Sequence, residues 1–273
     1  MRNAISVDLE DWFCAVNMTR FISRADWGKC ELRVRGNTER ILRILETHKV
    51  RATFFVLGWI AEQVPGLVRE ISSAGHEIAT HGYDHLLLTT STEVEFEEDI
   101  RKGLQALHSC GVDGTVLGYR APSFTVVDET MWALRTLEKF DLRYDSSVFP
   151  IGFHPDYGIP GAPLAPYRIT DRLVEFPMSC VEVFGKRWPC SGGAYFRIFP
   201  YAYTRWCLKR INAEGRPAVF YLHPWEIDPG QPRIRLPLAK RFRHYYGLGK
   251  TEGKLNRLLG DFEFTTIREV LSL

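Results

Sequence analysis

The chain has 273 residues, and 35 Lys and Arg against 33 Asp and Glu leave a formal net charge of +2. A chain of this size buries about three quarters of its unfolded surface, enough for a full core without staples. The balanced charge excludes the basic stripe of a nucleic-acid binder; seven Trp, eleven Tyr and seventeen Phe exclude disorder, and no apolar run approaches the about 20 residues of a membrane-spanning helix.

Residues 4–8 read as a first strand, and Asn37 is placed to cap a helix carrying Ile41, Leu42, Ile44 and Leu45. Residues 52–57 (ATFFVL) form an uninterrupted apolar run, the pattern of a strand buried on both faces. A helix over 61–75 precedes a short strand at 77–80. Ser91 opens a long helix ending near Gly111, with glutamates early and Lys102 late, as the helix dipole favours. A fourth strand follows at 115–119, and Asp128 is a candidate cap for a helix through Trp132, Leu134 and Leu137. The Pro- and Gly-rich stretch 150–177 is laced with Phe153, Tyr157 and Tyr167 and reads as an ordered loop or hairpin region. Strands return at 173–176 and 218–222, with a helix over 203–212 between them. This alternation indicates βαβ units around a parallel sheet or barrel, in one domain over 1–273 with the half from about 150 onward integrated into it.

The six cysteines contain no CxxC pair, which excludes a zinc knuckle or thioredoxin-type motif. Reduced, mostly buried thiols are expected, with a Cys180–Cys190 bridge as the alternative. Asp8 stands where a signal peptide has its apolar stretch, so the expected location is cytoplasmic. Oligomeric state is not legible.

The residues that carry chemistry fall at predicted strand ends, where barrel active sites form. Val7-Asp8-Leu9-Glu10-Asp11-Trp12 places three carboxylates within four residues. They repel unless a cation or an arginine offsets them, and Asp8 and Glu10 share a strand face. In Thr80-His81-Gly82-Tyr83-Asp84-His85, two histidines four apart share a face on a helical turn and can hold one metal ion. One carboxylate with two histidines leaves positions for water and substrate. Arg120, in Gly118-Tyr119-Arg120-Ala121-Pro122, can pair with Asp8 and orient it. His223 is a candidate general acid, with Asp145 accepting from its other ring nitrogen. Gly192-Gly193-Ala194-Tyr195-Phe196-Arg197 suits a substrate groove: Tyr195 stacks on a sugar, and Arg197 binds a carboxylate or phosphate. Trp225 is a candidate pocket wall. The basic, aromatic stretch 240–246 reads as a helix face, with contact to a membrane or an anionic glycan as the lesser reading.

In chain order these segments resemble the polysaccharide deacetylases of the NodB-homology type, carbohydrate esterase family 4. The first family motif falls on Asp8 to Asp11, the second on His81 to His85, the third on Arg120-Ala121-Pro122, and the last two, loosely, on Asp145 and on Leu222-His223. The chain further resembles an exopolysaccharide-locus subgroup of the exosortase (PEP-CTERM) kind, through Tyr157–Pro163, Tyr167-Arg168, Glu175–Pro177, Gly192–Arg197 and Tyr221–Arg233. The resemblance implies a distorted (β/α) barrel of about seven strands. It implies a hydrolase removing N-acetyl groups from amino sugars of a polysaccharide or its lipid-linked precursor, with a divalent metal, Zn²⁺ or else Co²⁺ or Ni²⁺. Asp8 takes the role of general base and His223 that of general acid, tuned by Asp145; Arg120 orients Asp8. His81 and His85 hold the metal with Glu10 or Asp11, strand parity favouring Glu10. A backbone N–H at Tyr83 serves the oxyanion, and Pro122 borders the substrate. Two alternatives share the fold: an allantoinase-like cyclic amide hydrolase and a non-catalytic glycan-binding homologue.

Overall fold

The computed structural model describes residues 1–112, 115–154 and 157–273. The chain runs through β1 (Asn3–Leu9), α1 (Val34–Thr47), β2 (Thr53–Val56), α2 (Gly58–Gln63), α3 (Pro65–Ser73), β3 (Glu77–Thr80), α4 (Glu93–Ser109), β4 (Gly118–Tyr119), α5 (Trp132–Leu137) and β5 (Tyr144–Asp145). The second half adds β6 (Tyr167–Arg168), β7 (Val174–Glu175), β8 (Cys180–Val183), β9 (Lys186–Pro189), α6 (Gly193–Ile198), α7 (Tyr201–Ala213), β10 (Val219–Leu222), α8 (Leu238–Tyr245), α9 (Leu248–Asp261), β11 (Phe264–Thr265) and α10 (Ile267–Leu271).

Among the described residues the main sheet has the order β10-β1-β2-β3-β4-β5-β7-β6, with β11 also on β1. Every pairing from β10 to β7 is parallel, and β6 closes the edge as an antiparallel partner of β7, the hairpin expected within 150–177. The sheet curls into a half-barrel. Its open side is crossed by the chain around β8 and β9, where Ser179 Oγ accepts from Val219 N at 2.8 Å and the Ser191 carbonyl accepts from Tyr221 N at 2.7 Å.

Strand alternation sorts the core into two faces. Ile5, Val7, Leu9, Phe54, Val56, Phe220 and Leu222 pack under the outer helices, whereas Ala4, Phe55, Val219 and Tyr221 face the barrel interior. Full burial of such a side chain contributes about 1.5–3 kcal/mol. Ser6 and Asp8 have the parity of Ala4 and so point inward. The register Val7↔Leu222, Asp8↔Phe55, Thr80↔Tyr119 and Tyr119↔Asp145 brings the carboxyl ends of β10, β1, β3, β4 and β5 to one rim.

Three local expectations change. The 61–75 helix is two helices, because Pro65 lacks an N–H and instead opens α3. Asn37 lies inside α1 and donates to Asp228 Oδ2 at 3.1 Å. The long helix is capped by Thr92, whose side chain and that of Glu95 exchange bonds with each other's backbone. All six cysteines are free thiols. No helix among the described residues is long and apolar enough to cross a membrane.

Candidate active site

Asp8, near the end of β1, is buried beneath Arg120, itself fully buried. Arg120 Nη1 donates to Asp8 Oδ1 at 2.6 Å and to Ser6 Oγ at 2.7 Å, while Nε and Nη2 donate to the carbonyl and hydroxyl of Ser146. The guanidinium lies 4.1 Å from the centre of the Phe55 ring. This clamp fixes Oδ1 of Asp8 and leaves Oδ2 facing His223, whose Nε2 is 3.8 Å away.

Glu10, two residues on and of the same parity, meets His81 and His85. His81 Nε2 is 3.0 Å and His85 Nε2 3.2 Å from Glu10 Oε1, and the three side chains are buried. They converge because the segment after β3 is a loop, not the helical turn that the spacing suggests: Gly82 (φ 73°) and His85 (φ 57°) adopt left-handed conformations. Asp99 of α4 holds this loop by accepting from the N–H groups of Tyr83 and Asp84, both at 2.9 Å. A β-carbon on Gly82 would lie 2.2 Å from Asp99 Oδ2.

These residues suit a divalent cation. His81 Nδ1 is 2.7 Å from the carbonyl oxygen of Arg120, which can only accept, so the proton sits on Nδ1. Nε2 then turns a lone pair toward a carboxylate oxygen, an arrangement that a cation resolves. Each of the three residues offers one ligand atom, and these atoms lie within 4.8 Å of one another. Burial opposes the charge on Glu10, yet its two histidine neighbours, His85 foremost, hold its carboxyl well below the usual range. Asp11, the other candidate ligand, is not in this cluster. Its carboxylate accepts from the N–H groups of Trp12 (2.8 Å), Arg33 (2.7 Å) and Val34 (2.8 Å), and so caps the start of α1.

His223 follows β10. Its Nδ1 does not meet Asp145. It faces Glu226 Oε2 at 3.2 Å, and the same oxygen accepts the His223 backbone N–H at 3.1 Å. Glu226 is held from behind by Arg197 Nε at 2.7 Å. Burial alone would lower the His223 pKa, but Glu226, Glu10 and Asp8 push it up to about 9. Burial likewise opposes the charge on Glu226, and Arg197 and His223 bring it down to about 2. Trp225 stacks on His223 (5.2 Å between centroids, 26°) and on His244 (4.6 Å, 10°).

Other expected roles move. Asp145 is buried against Ser147, accepting from its Oγ at 2.6 Å, and beside Glu175. Burial raises both carboxyls, and the neighbouring Asp145 raises Glu175 further, so the pair retains a proton. Tyr83 N–H is occupied by Asp99, which removes it as an oxyanion donor. Pro122 lies behind the wall that Ser123 and Phe124 present. Arg197 spends its donors on Glu226 and on the carbonyls of Arg243, His244 and Tyr246, so it supports the site rather than gripping substrate. Tyr195 does line the cavity, its hydroxyl 3.2 Å from that of Tyr157. Gly192 (φ 135°) and Gly193 (φ 56°) let the chain pass against Tyr221: a β-carbon on Gly192 would lie 1.9 Å from its carbonyl oxygen. Sequence reasoning missed Asp99 and the role of Glu226; for Glu226 the signal was available, since His-Pro-Trp-Glu sets a glutamate three residues beyond the histidine, in a turn that a proline opens.

Asp8, Glu10, His81, His85, His223 and Glu226 border one open cavity of about 630 Å³, with Tyr195, Arg197 and Trp225 also in its lining. Residues 26–141 match the family model described as polysaccharide deacetylase, and residues 146–272 match a domain of unknown function (DUF3473). A Bacillus cereus peptidoglycan-N-acetylglucosamine deacetylase is 41% identical over 71 residues, which is 26% of this chain and 26% of that protein. The match thus spans about a quarter of that relative. A Mycobacterium smegmatis structure described as a candidate polysaccharide deacetylase superposes with a TM-score of 0.64 at 21% identity, covering 99% of this chain and 90% of that one. A carbohydrate esterase family 4 pseudoenzyme from Bacillus anthracis superposes at 0.52 and 15% identity, covering 99% and 65%. Residues 26–141 thus resemble polysaccharide deacetylases, and the solved structures share the curled α/β fold. They include a pseudoenzyme, so shape alone does not decide activity.

Proposed function

We propose that the protein is a metal-dependent hydrolase that removes N-acetyl groups from amino sugars of a polysaccharide or of its oligosaccharide or lipid-linked precursor. One observation carries this reading: the ligand set Glu10, His81 and His85 shares a cavity with the Asp8–Arg120 pair and with a protonated His223. Glu10, His81 and His85 would hold the ion, zinc being the expected one for two imidazoles and a carboxylate. When bound there, a divalent ion polarises the acetyl carbonyl and lowers the pKa of a water.

The chain's own residues supply the proton movements. Asp8, fixed through Oδ1 by Arg120, takes a proton from the attacking water at its open Oδ2. The water oxygen bonds to the acetyl carbon and the carbon–nitrogen bond breaks. His223 gives its proton to the leaving amine, and acetate departs. Glu226 keeps His223 charged and oriented for that donation. The match of the second half to DUF3473 is compatible with the exopolysaccharide-locus subgroup, whose motifs supply His223, Glu226 and Arg197.

Acetate release from chitooligosaccharides, with and without chelator, tests the proposal. Chelator-sensitive release is the expected result. Hydrolysis of cyclic imides only would favour the allantoinase-like reading, and binding without release the glycan-binding one.

A further inference from the structure

The cavity is acidic in its depth and basic toward its mouth. The acids among its described lining residues are Asp8, Glu10 and Glu226, all buried and all paired: with Arg120, with His81 and His85, and with Arg197 and His223. Toward α8 and the loop after β1 the lining changes. Arg20 is exposed there, and Lys240 and Arg243 are half-buried. Among the described residues none of these three cations forms an ion pair. Like charges lining one cavity disfavour each other and favour an anion among them.

Arg243 is also tied to the proton donor. Arg243 Nη1 is 3.4 Å from His154 Nε2, and His154 stacks on Tyr157 at 3.6 Å. The Arg243 carbonyl accepts from Arg197 Nη2 at 2.8 Å, and Arg197 Nε holds Glu226, the partner of His223. An anion seated on Arg243 is therefore held in register with the group that protonates the leaving amine.

We propose that the substrate is an acidic glycan: a carboxylate or phosphate close to the N-acetylated sugar binds Arg20, Lys240 and Arg243 while the acetamido group enters beside Asp8 and His223. The inference rests on the deacetylase reading and narrows its substrate class.

Calorimetric binding and acetate release are measured with three probes. These are the neutral N-acetylglucosamine tetramer, its 6-phosphorylated form, and a tetrasaccharide alternating glucuronic acid with N-acetylglucosamine. An acidic probe should bind at least about ten-fold tighter than the neutral one at low salt, with the advantage shrinking as salt screens it. Lys240→Gln, Arg243→Gln and Arg20→Gln should each cut that advantage about three- to ten-fold. The side chains of Arg20 and Lys240 make no hydrogen bond or ion pair among the described residues, so their variants test recognition even if Arg243→Gln folds poorly. A stronger effect with the carboxylate or with the phosphate identifies which anion is read. Equal affinity for neutral and acidic probes, an advantage unmoved by the variants, or no binding of any probe would overturn the inference. Acetate release from all probes without acidic preference would leave the deacetylase reading standing and remove this one. Tight acidic binding with no acetate from any probe would do the reverse.

Discussion

Glu226 Oε2 sits between the backbone N–H and the ring Nδ1 of His223, 3.1 Å from one and 3.2 Å from the other, so a single oxygen sets both the ring's orientation and its charge. With Glu226 present, His223 stays protonated up to about pH 9. In Glu226→Gln the acid loses its nearest negative partner. The alkaline limb of the pH–rate profile should move down toward the ordinary histidine range, and turnover at pH 8 should fall about ten- to hundred-fold. Asp145→Asn should leave that limb in place. A profile shifted by Asp145→Asn and not by Glu226→Gln would return the tuning role to Asp145.

Asp11 and His81 separate by different measurements. Purified protein should carry about one divalent ion per chain, lost in His81→Ala. Asp11→Ala should keep the ion. It strips the acceptor from three backbone N–H groups and should lower unfolding stability by about 2 kcal/mol in urea titrations. An Asp11→Ala protein of normal stability without metal would exchange the roles of Asp11 and Glu10.

The Asp145–Glu175 pair predicts a pH dependence of stability. Both carboxyls are raised in the folded protein, chiefly by burial. Their contribution is therefore complete below the unfolded carboxylate pKa of about 4 and declines as pH rises through the folded values, because the unfolded chain then binds fewer protons than the folded one. Glu175→Gln keeps a donor without the titrating proton. The melting temperature of the variant relative to wild type should rise as pH climbs from the unfolded carboxylate value of about 4 through the neutral range. A constant difference across that range would mean that the pair holds no shared proton.

Gly192→Ala should be among the most damaging single-methyl changes in the chain. It meets the Tyr221 carbonyl on β10 and a backbone angle that L-residues rarely adopt. A loss of more than about 4 kcal/mol, read as insoluble expression or a melting point lowered by about 10 °C or more, is expected. Gly28→Ala, where an added carbon meets nothing within 4 Å, should be neutral and serves as the control.

The sequence made the centre of the fold legible and its rim only partly so. The strand 52–57 stands out because both its faces are buried and its run is almost wholly apolar, and the shorter strands 4–8 and 77–80 are read from β-branched and apolar residues ahead of a polar strand end. Asp8, His81, Arg120 and His223 follow directly from strand ends, so locating the strands located them. The errors concern partners chosen in three dimensions. Asp145 and Glu226 are both acidic and both lie near strand ends, and only the turn after β10 decides which one reaches His223. Arg197 looked like a ligand for substrate because its burial by three backbone carbonyls comes from residues 243–246, distant in sequence. The His81–His85 pair suggested a helix because spacing carries no information about the left-handed angles at Gly82 and His85. The last elements, α9 and β11, gave no signal strong enough to place them.

The sheet order bears on the order of synthesis. β1 leaves the ribosome first, yet one of its hydrogen-bonding edges is covered only by residues 219–222, with residues 264–265 completing that flank. At translation rates of about 5–20 residues per second, that edge waits on the order of ten to forty seconds for its partner. Throughout that time an apolar strand with unpaired backbone is available to other chains. His223, the proposed proton donor, follows that late strand directly and arrives only as the edge is sealed. A fragment ending near residue 141 would keep the bare edge permanently, and it should aggregate rather than fold as a smaller unit.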